Sequence, residues 1–219
     1  MTAKTKIFTR SLVLLFGIYI LLGLLRLLLV KLYPQFSETD YQQSQLQNLL
    51  QSNPLRAGIM IILVAPVIEE LMFRTLIKPS HTDLVLFIAA WPVFIAATYI
   101  PPDVHWFFKV SFLAVVLACF TYIGTQLINP FKARHLRSKI SSWYIPIWIL
   151  TSILFGLVHI TNYVETFTLN VPLFLLIVPR IVAGFIFGYI KIKNKHLGWS
   201  IAMHSMNNAI PISMLLLAH

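Results

Sequence analysis

The chain alternates long apolar runs with short polar connections. Seven runs approach the roughly 20 residues that a helix needs to cross a bilayer core of about 30 Å; they cover 11–30, 57–77, 84–100, 107–128, 143–162, 172–190 and 197–217. Prolines mark many of the boundaries, at Pro34, Pro54, Pro79, Pro101, Pro102, Pro130 and Pro172, as expected for a residue that cannot continue a helix. The pattern predicts an all-α fold, a polytopic transmembrane bundle of about seven helices. The polar stretches are too short to enclose a second core, so 1–219 reads as a single integral membrane domain. Residues 35–53, rich in Gln, Ser and Asn, read as a polar loop or a short interfacial helix, and no internal repeat stands out.

Composition agrees with that pattern. Hydrophobic residues make up 58% of the chain and charged residues 11%, against about 25% charged in soluble domains, and the mean hydropathy is +0.80. The net charge of +10 would suggest nucleic acid in a soluble protein. Here the basic residues sit mostly between apolar runs, so topology and the lipid bilayer account for them, and no nucleic-acid partner is expected. Lys4, Lys6 and Arg10 before the first run imitate a secretory signal. That run is too long and lacks a small-residue cleavage pattern, so it should remain as the first transmembrane helix. Cys119 has no second cysteine to pair with and reads as a packing residue.

Lysine and arginine resist translocation, so their distribution sets orientation. With the N-terminus inside, the cytoplasmic connections hold Lys4, Lys6, Arg10, Lys78, Lys132, Arg134, Arg137, Lys139, Lys191, Lys193 and Lys195, against Lys31, Arg56 and Lys109 on the other side. The count places the chain as a multi-pass protein of the cell membrane, with its N-terminus cytoplasmic and its C-terminus outside.

Of seven acidic residues, Glu38, Asp40, Asp83, Asp103 and Glu165 fall in predicted connections, whereas Glu69 and Glu70 follow an entirely apolar stretch. An ionised carboxylate there costs several kcal/mol unless it has a partner or water, which makes it a functional-site candidate by default. Arg74 lies four residues after Glu70 and shares its helical face, while Glu69 points about 100° away. Glu70–Arg74 therefore reads as a structural ion pair and Glu69 as the better candidate for proton chemistry. Pro66, four residues before Glu70, removes a backbone hydrogen bond and is placed to kink the helix. His159 follows Phe155 in the run 143–162, and His204 and Asn208 share a face in the run 197–217. Taken singly, these are as well explained by packing or interhelical hydrogen bonding. Together, an acid, two histidines and an amide on three helices form the parts of a hydrolytic site. The carboxylate can take a proton from water, and His and Asn can donate to a developing oxyanion. The same Glu69, His159 and His204 have the chemistry of a catalytic zinc site with an open position, and spacing alone leaves both open. Arg26 and Arg180, inside apolar runs, read as paired or snorkelling residues. His81, His105, His135 and His196 read as solvated loop residues, and the terminal His219 belongs to no motif.

The order Glu69-Glu70-x-x-x-Arg74, Phe155-x-x-x-His159, His204-x-x-x-Asn208, with Ser152, Arg180, Gly184 and Tyr189 between, resembles the CPBP family of intramembrane proteases. That family includes the CAAX-prenyl endoproteases and the bacterial proteins linked to bacteriocin processing and self-immunity. The resemblance implies a membrane-associated peptide or protein substrate. It makes Glu69 and His159 the activators of the hydrolytic water and His204 and Asn208 the stabilisers of the oxyanion, with Glu70 in the same motif and Arg74 and Phe155 in support. A metal-dependent mechanism has also been proposed for such proteins, so the cofactor is either none or zinc.

One departure from the family pattern is plain. From Glu70 to His159 the chain runs 89 positions, longer than the resemblance leads one to expect, and 84–128 reads as two added membrane segments. An even number preserves the direction of the motif-bearing helices 57–77, 143–162 and 197–217. His159 comes out nearer the outer side than Glu70 and His204, so convergence requires that the fifth helix start later than Ser142, break or tilt. Two other classes fit intramembrane carboxylates: a proton-coupled transporter, which has no need of Asn208, and a non-catalytic membrane scaffold or immunity protein.

Overall fold

The computed structural model describes residues 2–37, 41, 50–101, 103–164, 168 and 170–217. Glu38, Asp40, Pro102, Glu165, His219 and most of the polar segment 35–53 lie outside the described residues. The described chain is all-helical. Helix α1 (Ala3–Leu32) is followed by a 3₁₀ turn, Pro34–Phe36. A composite helix comes next, made of α2 (Pro54–Gly58), a π-helical stretch Ile59–Val64 and α3 (Ala65–Phe73). Then come α4 (His81–Tyr99), α5 (Trp106–Leu127), α6 (Pro130–Ser142), α7 (Tyr144–Val158) running into a 3₁₀ turn His159–Asn162, α8 (Val171–Asn194) and α9 (Leu197–Leu217).

Five described helical spans are long and apolar enough to cross a bilayer: Ala3–Leu32, His81–Tyr99, Trp106–Leu127, Tyr144–Asn162 and Val171–Asn194. The two remaining runs of the expected seven are those that carry Glu69, Glu70, His204 and Asn208. The first is split at Ile59–Val64, and the polar side chains of the second dilute its hydropathy.

Helix α8 is the centre of the bundle, with α1, α7 and α9 packed against it. Glycines permit the closest of these approaches. A Cβ at Gly184 would stand 2.9 Å from the backbone oxygen of Ser152 on α7. Gly188, one turn later, faces Trp148, and Gly156 on α7 faces Ile181. This is the small-residue packing by which membrane helices bring their backbones together. The α4–α5 hairpin packs on α3, where Leu71, Ala90 and Leu197 form a buried cluster that Leu117 of α5 joins. It stands beside the motif-bearing helices and leaves their order intact.

Four expectations need correction. The connection 130–142 is a helix, α6, whose Phe131 and Leu136 are exposed among basic residues, the composition of a helix lying in the membrane interface. Asp83 belongs to the first turn of α4, where Ser80 and Asp83 form a reciprocal capping box, and Lys191 is a buried α8 residue. Lys191 Nζ donates to the Thr75 carbonyl at 2.9 Å and lies 3.4 Å from Asp83 Oδ2, so both charges are drawn into the helix ends by pairing. Cys119 is exposed on α5 rather than packed.

Candidate active site

The site begins with a break in a helix. Pro66 has no N–H, and the chain before it is wound in π register, with the Ala65 N–H bonded to the Met60 carbonyl. In that register Pro66 would be the donor to Ile61, so the Ile61 carbonyl has no partner on its own helix. Asn208 of α9 supplies one: its Nδ2 donates to the Ile61 oxygen at 2.9 Å. The kink expected from Pro66 thus takes the form of a π segment whose freed carbonyl ties α9 to it.

One turn beyond Pro66, the two glutamates diverge as helical spacing predicts. Glu70 is fully buried, with Arg74 Nε 3.5 Å from its Oε2. Its Oε1 is 3.1 Å from His204 Nδ1, and the Ser200 hydroxyl hydrogen-bonds to Oε2. Arg74 also donates from Nη1 to the Thr151 carbonyl at 3.3 Å and lies over the Phe155 ring, 4.8 Å from its centre. Glu69 faces the other way. Its Oε2 is 3.8 Å from His159 Nε2 and 3.8 Å from His204 Nε2, and this buried oxygen has no hydrogen-bond partner among the described residues.

The histidines are held by their opposite nitrogens. A carbonyl only accepts, so the 2.6 Å contact between His159 Nδ1 and the Phe155 oxygen places a proton on Nδ1 and leaves Nε2 toward Glu69. His204 Nδ1 likewise donates to the Glu70 carboxylate. Phe155 stands between the two rings, 4.9 Å from His159 and 5.4 Å from His204 between centres, and Phe187 stacks on His204 at 4.7 Å. Helix α7 begins at Tyr144, two residues past Ser142, and breaks into its 3₁₀ turn at His159. Both features are among those that convergence was expected to need, and His159 does meet Glu69.

These groups open into a cavity of about 640 Å³, lined by Glu69, His159, His204 and Asn208 and also by Tyr19, Asn162, Arg180 and Asn207. Glu70, Arg74 and Ser200 lie behind its wall. Three participants were missed in the sequence. Ser200 sits four residues before His204, a spacing that could have revealed it. Asn207 is adjacent to Asn208, and its Nδ2 donates to Asn208 Oδ1 at 3.2 Å. Tyr19 of α1 donates to Asn207 Oδ1 at 2.8 Å, and no local signal marks a tyrosine in a membrane helix.

A zinc site would need three protein ligands around one point. Among the described residues no three His, Cys, Asp or Glu side chains gather closely enough to hold a metal ion, so the set Glu69, His159 and His204 does not fit one. The arrangement suits a ligand with two hydrogens to give: Glu69 Oε2 and His159 Nε2 are two acceptors turned toward each other, and water is the smallest molecule that can donate to both.

The model of the family "Type II CAAX prenyl endopeptidase Rce1-like" matches residues 51–210, a span that contains every motif residue from Glu69 to Asn208. Comparison with curated proteins and with solved structures gives no match. The match takes in most of the chain, and the protein, a multi-pass membrane protein, belongs to the Rce1-like family of type II CAAX prenyl endopeptidases.

Proposed function

We propose that the protein is an intramembrane endopeptidase that hydrolyses peptide bonds of membrane-associated peptide or protein substrates by direct attack of water. The observation that carries this reading is the placing of Glu69 Oε2 between the Nε2 atoms of His159 and His204, 3.8 Å from each, in a cavity inside the bundle. Glu69 takes a proton from water held against His159, and the water oxygen attacks the scissile carbonyl carbon. The carbonyl π pair moves onto its oxygen, where Asn208 Nδ2 and His204 donate. Collapse of the tetrahedral species breaks the C–N bond as Glu69 returns the proton to the leaving amine. For His204 to donate from Nε2 while Nδ1 serves Glu70, both ring nitrogens must carry protons, and the Glu70 carboxylate is the counter-charge for that imidazolium. Phe155 and Arg74 hold the ring and carboxylate in place. The single integral domain and a cytoplasmic N-terminus complete the reading.

The test is cleavage of a quenched peptide library, prenylated and unprenylated, by purified protein in liposomes. Wild type should cleave and Glu69→Gln and His204→Ala should not, and cleavage should persist in chelator. Loss of activity in chelator with recovery on added zinc would replace the Glu–His mechanism by a metal one, and a wild type inert toward every peptide would remove the endopeptidase reading.

A further inference from the structure

The cavity that holds Glu69 and the histidines also contains a cation that the hydrolytic steps do not use. Arg180 lies on α8 nine residues past Val171, about 14 Å along the helix, well inside the span Val171–Asn194. Its guanidinium makes one long hydrogen bond, from Nη1 to the Leu176 carbonyl at 3.4 Å, and its Cζ stands 5.4 Å from the centre of the Tyr163 ring. Among the described residues no carboxylate lies within 4.0 Å of it. Arg74 offers the contrast: fully buried, paired with Glu70 and bonded to Thr151, it is committed to the protein. A guanidinium carries five N–H donors in a planar fork suited to a carboxylate, and within a membrane span such a group marks a ligand path by default. Arg180 presents that fork to the same cavity as Glu69.

We propose that Arg180 recognises a carboxylate of the substrate, in the first instance the free α-carboxylate of its C-terminus; this rests on the endopeptidase reading above. A chain end carried into a cavity inside the bundle must give up much of the water around its one obligatory negative charge. Arg180 replaces that water with paired N–H donors, and it fixes the register of the peptide against Glu69 and His159. Arg180 is thereby a specificity-determining residue.

The test uses paired quenched peptides without acidic side chains, identical except for a C-terminal acid or amide, with the full-length protein in liposomes. Wild type should favour the acid at least tenfold in kcat/KM, mainly through KM. Arg180→Gln should lose that preference, and Arg180→Lys should keep part of it. An amidated peptide regaining turnover when an Asp is placed near its end would assign the recognised carboxylate to a side chain. Equal turnover of acid and amide by wild type would overturn the proposal while leaving the endopeptidase reading intact. Should wild type cleave neither peptide, the endopeptidase reading fails separately. Binding of the labelled pair to Glu69→Gln protein then decides the role of Arg180, with equal affinities counting against it.

Discussion

Asn208 Nδ2 and the Ile61 carbonyl, 2.9 Å apart, join α9 to the one stretch of the composite helix that cannot satisfy its own backbone. Pro66 creates the free acceptor and Asn208 uses one of its two amide hydrogens on it, which leaves the other for an oxyanion. Restoring an N–H at position 66 by Pro66→Ala provides a competing donor for the carbonyls upstream. Losing one hydrogen bond of this kind is worth about 0.5–1.5 kcal/mol, so kcat should fall roughly three- to tenfold with KM little changed. Wild-type kcat in Pro66→Ala would show that the break in the helix does not position Asn208.

The two glutamates should separate chemistry from folding. Glu69→Gln removes the proton acceptor and leaves the buried Glu70–Arg74 pair in place; activity should fall about 10²- to 10⁴-fold at unchanged abundance. Glu70→Gln leaves Arg74 buried without its counter-charge, a change of about 3–5 kcal/mol, and should lower the melting temperature and the yield. The double variant Glu70→Gln/Arg74→Met should regain stability but not activity, because His204 Nδ1 still lacks its carboxylate. Recovery of full activity in the double variant would confine Glu70 to the ion pair.

These residues were legible because they violate their surroundings. Glu69, His159, His204 and Asn208 are polar positions in apolar runs, and helical spacing alone separates Glu69 from the Glu70–Arg74 pair. Helix α6 was not legible, since its low hydropathy hides a helix in what reads as a basic loop. Nor were Asp83 and Lys191, whose partnership joins positions more than a hundred residues apart. Arg180 was visible as an intramembrane charge, but only the cavity shows what it faces.

Gly184 sets the distance between α7 and α8, and so the position of Phe155 and His159. A Cβ there meets the Ser152 oxygen at 2.9 Å and its Cα at 3.0 Å, both backbone atoms, which cannot swing aside as a side-chain tip would. Gly184→Ala should therefore separate the helices at a cost of about 1–3 kcal/mol. The expected result is a lower melting temperature in detergent together with reduced activity. Gly17→Ala on α1, where nothing lies within 4 Å of the new methyl, is the control that should behave as wild type.

Tyr19 acts on the site from outside the span that the family model matches. Its hydroxyl donates to Asn207 Oδ1 at 2.8 Å, Asn207 Nδ2 donates to Asn208 Oδ1 at 3.2 Å, and Asn208 Nδ2 donates to Ile61. Each link fixes the orientation of the next amide, because a carbonyl oxygen turned toward a donor leaves the NH₂ group turned away. The fixed end of the relay is the Ile61 carbonyl, which only accepts, so Asn208 turns its NH₂ to Ile61 and its oxygen to Asn207. Tyr19→Phe keeps the ring and removes the first link, which leaves Asn207, and through it the Asn208 amide, less firmly held. Turnover should drop about three- to tenfold, in line with one lost hydrogen bond, while KM and melting temperature stay near wild type. A purely structural tyrosine would lower stability and leave kcat per folded molecule unchanged. Measuring kcat against the fraction of folded protein for Tyr19→Phe and for Asn207→Leu separates the two cases, and equal specific activity in all three proteins would reduce α1 to a scaffold.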